Sequence, residues 1–272
     1  MSKLLTTREA AEMLGVGTTS VKRWADSGVL RCVKTPGGHR RFPLPDIEAM
    51  LREARGDDGP LPAIDADNWV GLLIRGTDPH EVYRRLSDER DRAGAWWRVC
   101  ESMAEVLVDI GNRWMTGEIT VLQEHLASER LARALARCAE EISPPPAAPQ
   151  ALLVAAEGDD HTLGLSLAEL VLRESGWITR WAGTRTPRPA LENFLAAGEV
   201  QLVAVSAAAS VTDQQSLADQ ADWFGETCRR AGAELVFGGA GAWPERLGYG
   251  HRLTSFEQLS RLAADLAATS RH

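Results

Sequence analysis

Between residues 67 and 142, apolar residues recur at three- and four-residue spacing. Val106, Ile110 and Trp114 form one helical stripe, and Leu122, Leu126 and Leu131 continue another. The pattern divides into segments near 68–75, 78–93, 95–115 and 118–141, which predicts a four-helix bundle. After residue 150 the period changes. ALLVAAE, WITRWAG, VQLVAVSAAA, AELVFGGAG and GHRLTS are strand-like runs separated by helical stretches. That βαβ rhythm predicts a doubly wound, Rossmann/flavodoxin-like α/β fold with a five-stranded parallel sheet, whose ligands bind at the carboxyl ends of its strands. The head follows a third pattern. TTREAAEMLGVGTTSVKRWADSGVL reads as a helix, a Gly15–Val16–Gly17 turn and a second helix from Thr18, capped by the hydroxyl of Thr18 or Thr19. Ala10, Leu14, Val21 and Trp24 supply the inward face. Pro36-Gly37-Gly38 then makes a hairpin turn, with His39, Arg40 and Arg41 on the return strand.

Two seams separate these patterns. EARGDDGPLPAIDA (53–66) has acid, glycine and proline without periodicity and reads as a linker; SPPPAAP (143–149) reads as a stiff extended connector. The expected division is therefore a head (1–52), a helical middle (67–142) and a C-terminal α/β block (150–272), a multidomain α and α/β chain. Charge sharpens the division. The 272 residues carry a net charge of −8, yet residues 1–52 hold nine Lys and Arg against five Asp and Glu. A basic head on an acidic body suggests that the head alone meets a polyanion. Cys32, Cys100, Cys138 and Cys228 are far apart, which argues against a disulfide framework or a thiolate zinc site and for a reducing cytosol. The most apolar stretch, Leu202 to Val211, is half the roughly 20 residues that span a bilayer. With no apolar signal segment near the start, the expected location is cytoplasmic, with no membrane partner.

In the head, Thr19, Ser20, Lys22 and Arg23 point outward near the start of the second helix, where a helix-turn-helix reaches base edges and phosphates. The hairpin would place the guanidinium groups of Arg40 and Arg41, with His39, on backbone phosphates. A structural three-helix module with a solvated basic hairpin is the plainer alternative. With GGHRRF in the wing, residues 4–52 resemble the MerR-type winged helix-turn-helix, which implies binding to double-stranded operator DNA as a dimer or higher homo-oligomer.

The first strand of the α/β block ends in EGDDHTLGLSLAEL. His161 falls on the loop at the expected ligand edge. Asp159 could accept its other ring proton and fix the tautomer, as carboxylates do for metal-bound imidazoles. Gly164 lets the backbone pass close to a bulky ligand. Alone, the trio reads as a loop histidine in an acidic turn. Together with Ser206, which follows Gly164 after 41 residues, and Gly238-Gly239, the pattern Asp159-x-His161-x-x-Gly164 resembles the signature of cobalamin-binding domains. The resemblance implies that His161 is the lower axial ligand of cobalt and that the small residues give the cofactor's nucleotide tail room. Ser206-Ala207-Ala208 departs from that family's usual S-x-L.

A lone tryptophan such as Trp114 on an apolar stripe packs in a core by default, and Trp96-Trp97 reads that way. Yet Trp114 lies ten residues before Glu124-His125, and W-x(9)-E-H resembles the cap signature of the CarH/LitR-type light-dependent regulators. Head, bundle and α/β block also occur in that family's order. The resemblance implies that Trp114, Glu124 and His125 contact the upper, adenosyl face of adenosylcobalamin. It further implies a non-enzymatic repressor that grips DNA as a dimer or tetramer in the dark and releases it when light breaks the Co–C bond. Met115 stands where the best-known members have a histidine that captures cobalt after photolysis. A thioether is a weaker ligand for Co(III), so the light-adapted state is expected to lack a second protein histidine. Two alternatives stay open: a corrinoid methyl carrier of a methyltransferase system, against which the head argues, and a sensor that uses a bilin with or instead of cobalamin.

Overall fold

The structure is a computed structural model that describes residues 4–14, 21–22, 25, 30–34, 40–43, 47, 66–76, 78 and 80–269. The chain divides into two compact units, Met1–Ala63 and Ile64–His272.

In the first unit, β1 (Leu4–Thr6) runs directly into α1 (Thr7–Leu14), and β2 (Val33–Lys34) pairs antiparallel with β3 (Arg40–Pro43). The β2–β3 pairing, Val33 opposite Arg41 and Lys34 opposite Arg40, puts the two arginines on the return strand as expected. β1 was not expected, since three residues are too few to show an alternation. It joins the other edge of β3, giving the order β1-β3-β2. Thr6 begins α1 through a reciprocal cap. Its hydroxyl accepts from the Glu9 amide at 3.2 Å while the Glu9 carboxylate accepts from the Thr6 amide at 2.7 Å. Leu5, Ala10, Ala11, Val21, Leu30, Phe42 and Ile47 form the small core. The 15–17 and 36–38 turns, the cap at Thr18 or Thr19, and Trp24 lie outside the described residues, as does residue 53–65 of the expected linker.

The second unit opens with α2 (Ala66–Arg75), α3 (Glu81–Ala93), α4 (Trp96–Met115) and α5 (Val121–Glu141), the expected four helices. Ala66, assigned above to the linker, is already helical, and α3 and α5 each start three residues later than the periodicity suggests. For α5 the reason is a Thr120/Gln123 capping box, which fixes its start. The sheet follows: β4 (Gln150–Ala155), β5 (Ile178–Gly183), β6 (Leu202–Ser206), β7 (Glu234–Gly238) and β8 (His251–Arg252), with every neighbouring pair parallel and the order β5-β4-β6-β7-β8. Between the strands run α6 (Leu163–Glu174), α7 (Arg188–Ala196) and α8 (Gln214–Ala231), and α9 (Phe256–Thr269) ends the sheet.

One face of the sheet packs with α7 and α8 around Leu191, Phe224, Phe237 and Trp243. The other shares a continuous core with α6, α9 and the whole bundle, including Trp69, Leu86, Met103, Leu131, Leu153, Leu170 and Trp177. Trp96 lies in this core with Trp97 against it, as read from the sequence. Burial pushes the thiols of Cys138 and Cys228 up to about 12, so they act as core residues. Among the described residues, no helix is long and apolar enough to cross a membrane.

Candidate functional site

The chain leaves β4 toward β5 on one side and returns across it to β6 on the other, so the carboxyl edge between β4 and β6 is a topological switch point. His161 stands on the loop just after β4, immediately before α6. Gly158, in the left-handed region at φ 84°, turns that loop. Asp159 is 2% exposed and fully engaged. Its Oδ1 accepts from the His161 amide at 2.9 Å and from His161 Nδ1 at 2.8 Å, and its Oδ2 accepts from the Ala208 amide at 2.6 Å. The Nδ1 proton is therefore committed to a buried carboxylate. Nε2 is left as the imidazole's open lone pair, on a side chain that is 68% exposed. The Ala208 contact ties the histidine loop to the end of β6; nothing in the sequence marks it, because a backbone amide has no letter of its own.

The small residues converge on the same edge. A Cβ on Gly164 would stand 3.2 Å from Ser206 Oγ, and one on Gly239 only 2.2 Å from the Ala207 carbonyl oxygen and 2.9 Å from Ser206 Oγ. Gly164 on the first turn of α6, Ser206 at the end of β6 and Gly239 just after β7 are thus neighbours, and Gly239 adopts a positive φ that side chains resist. Gly238 differs: a Cβ there would meet nothing within 4 Å, so protein packing does not demand its glycine. Beside His161, Asp160 pairs with both Arg185 Nε and Nη2, which holds its carboxyl below the usual range. Arg252, at the end of β8, donates to the Gly239 carbonyl at 3.0 Å, and burial lowers its pKa.

Helix direction decides where the bundle residues stand. The Trp96 amide at the start of α4 donates to Glu174 at the end of α6 (2.8 Å), and Cys100 Sγ donates to the Leu167 carbonyl (3.3 Å), so the two helices are antiparallel. Arg173, near the end of α6, donates to the Ile142 carbonyl just past α5 at 3.1 Å, which puts the starts of α5 and α6 at the same end. At 1.5 Å per residue, both bundle helices overrun the start of α6 by about 15 Å. The α4–α5 tip therefore overhangs the edge that carries His161. Trp114 is on the last turn of α4, and Glu124 and His125 are within the first five residues of α5. This corrects the stripe reading: Val106, Ile110 and Leu131 are buried, but Trp114 is 48%, Leu122 66% and Leu126 41% exposed. They lie on the overhang, past the helices that would cover them. Met115 is exposed there too.

The Glu124 carboxylate accepts from Ser128 Oγ at 2.8 Å and lies 3.9 Å from His125 Nε2. Arg113, unmarked by any sequence pattern, holds the tip together. It pairs with Asp67 at the start of α2, with Asp109 at 2.9 Å and with Glu118 at 3.1 Å.

In the head, Lys22 is exposed and Arg40 and Arg41 are half-buried on β3. Thr19, Ser20, Arg23 and His39 lie outside the described residues.

Residues 4–55 match the helix-turn-helix domain family, and residues 81–139 match the B12 binding domain family. A helix-turn-helix head joined to a B12-binding bundle and a parallel α/β sheet defines the class: a DNA-binding protein with a B12-binding half. The chain is 32% identical over 224 residues to the HTH-type transcriptional repressor CarA of Myxococcus xanthus, covering 73% of this chain and 75% of that protein. It is 27% identical over 233 residues to the HTH-type transcriptional repressor CarH of the same organism, covering 74% and 78% respectively. The chain belongs to this family of HTH-type transcriptional repressors. Among solved structures it is similar to the monomethylamine corrinoid protein of Methanosarcina barkeri (TM-score 0.56, 20% identity, 74% of this chain and 95% of that one), a likeness of fold.

Proposed function

We propose that this protein is a cobalamin-dependent repressor that binds operator DNA as an oligomer while adenosylcobalamin is bound and releases it after illumination. The observation that carries the cofactor reading is the His161–Asp159 pair at the switch point. Asp159 takes the Nδ1 proton and leaves Nε2 as a single, oriented nitrogen ligand. Among the described residues no three His, Cys, Asp or Glu side chains gather as a chelating set. A lone imidazole suits a metal that brings its other ligands with it, as corrin-bound cobalt does. The open position at Gly238, beside the crowded Gly164–Ser206–Gly239 contact, fits the entry of a nucleotide tail between the strands.

His161 would hold the cobalt through Nε2. Gly164, Ser206, Gly238 and Gly239 give the tail its passage. Trp114, Glu124 and His125, on the overhanging tip, would contact the group bound above His161, and the exposure of Trp114 and His125 supports a role outside the core. When bound, adenosylcobalamin supplies a photolabile cobalt–carbon bond. Lys22, Arg40 and Arg41, with Thr19, Ser20, Arg23 and His39, meet DNA. A switch requires that the loaded and unloaded tips favour different assemblies, since a ligand shifts an equilibrium only by its differential affinity.

Absorption titration with adenosylcobalamin in the dark, beside operator gel shifts and sedimentation before and after illumination, tests the reading. Tight cofactor binding, a cofactor-dependent DNA shift and its loss in light are expected. Cofactor binding with methyl-transfer activity and no DNA shift would replace it with the carrier reading. With Met115 at the tip, the illuminated spectrum should lack a bis-imidazole signature; if one forms in the wild type and persists in His125→Ala, that expectation fails.

A further inference from the structure

Gly111 bears on which cobalamin the site accepts, a point that rests on the cobalamin reading. Gly111 sits inside α4, four residues from its end, where glycine is a costly choice relative to alanine. Nothing in the fold requires it. Its φ is not positive, and a Cβ there would meet nothing within 4 Å. Two observations show where that bare backbone points. Cys100, eleven residues earlier, bonds the Leu167 carbonyl on α6. Eleven residues at about 100° each return to within about 20° of the same azimuth, so Gly111 continues the face of α4 that packs on α6. Leu167 is four residues from the start of α6, so at 1.5 Å per residue Gly111 passes that start by about 10 Å. It therefore faces the space in line with α6, above the His161 loop. Trp114, three residues on, shares this side and is 48% exposed.

We infer that Gly111 is a specificity-determining residue: its missing side chain leaves headroom above the corrin for a bulky, nucleoside-sized axial substituent, with the Trp114 indole beside it as a flat apolar wall. Compact axial groups do not need that room. A Cβ at 111 would stand in it with no atom of a neighbouring element within 4 Å.

The full-length wild type, Gly111→Ala and Gly111→Leu are titrated in the dark with adenosylcobalamin and with hydroxocobalamin, read by absorption. Their cofactor-free melting temperatures and sedimentation are measured alongside. Gly111→Leu should bind hydroxocobalamin within about twofold of wild type and lose at least about tenfold in adenosylcobalamin affinity, with Gly111→Ala between. Both variants should melt at or above the wild-type temperature without cofactor, because both side chains favour helix. Equal affinity of variants and wild type for both cobalamins overturns the inference. So does an equal loss of both, or a change in the cofactor-free assembly state, which would assign the glycine to packing against a second copy. If the wild type binds neither cobalamin, the cofactor reading itself fails, a result separate from the others. Gly111→Ala keeps the test decisive should Gly111→Leu not fold.

Discussion

A single carboxylate does three jobs at the sheet edge. Asp159 turns its own loop by accepting the His161 amide, fixes the imidazole through Nδ1, and anchors the end of β6 through Ala208. Its carboxylate is buried at 2% exposure, and all three of these contacts are lost together when it is removed. Asp159→Ala should lower cobalamin affinity about 10- to 100-fold, the usual effect of deleting the partner of a metal-bound imidazole. It should also cost about 1–3 kcal/mol of stability, because the Ala208 amide is left without an acceptor. Absorption titration and urea melts separate the two effects. His161→Ala should lose the affinity with little loss of stability, since its side chain is mostly exposed. The Asp-x-His spacing made this pair readable as letters. Ala208 and Arg113 were not readable, because one acts through its backbone and the other gathers Asp67, Asp109 and Glu118 from three separate segments.

Helix ends join the bundle to the α/β layer. Glu174 caps the start of α4 through the Trp96 amide and pairs with Arg90 at 2.6 Å. Arg173 covers the Ile142 carbonyl past α5. Glu101 of α4 accepts the Phe256 and Glu257 amides at 2.6 and 3.2 Å, capping α9. These contacts fix the direction of α4 and α5, and hence the overhang. Burial holds the Glu101 carboxyl above the usual carboxylate range, so a neutral acceptor suits the site. Glu101→Ala should cost about 1–2 kcal/mol, the typical loss of a helix cap, and Glu101→Gln clearly less. Chemical melts of the cofactor-free protein read both; a larger cost for the glutamine would show that the charge, not the acceptor, matters. The periodicities found each of these helices and strands. They could not find the overhang, since a stripe such as Val106–Ile110–Trp114 looks the same whether or not a neighbour covers its last residue.

Across the whole chain, charge is divided between the parts. The head is basic, with Lys22 exposed and Arg40 and Arg41 on β3, while the body carries the acidic excess. DNA affinity should therefore fall steeply with salt, and Arg40→Ala should weaken binding and reduce the slope of log affinity against log salt by about one, as expected for one lost phosphate contact. Cobalamin titration of the same variant should be unchanged; a change there would mean that Arg40 acts on the body as well as on DNA.

The order of the parts, the parallel sheet and the Asp159–His161 pair were legible in the sequence, because periodicity, turn chemistry and short motifs are local properties of the chain. The position of the bundle tip above His161 was not legible in periodicity or spacing and was implied only by the family resemblance. It depends on which helix ends meet across Glu174, Arg173 and Cys100, contacts between residues 31 to 78 positions apart that become neighbours only when a shared core forms. The same packing decided that Trp114 stays out of the core and that Gly111 faces open space.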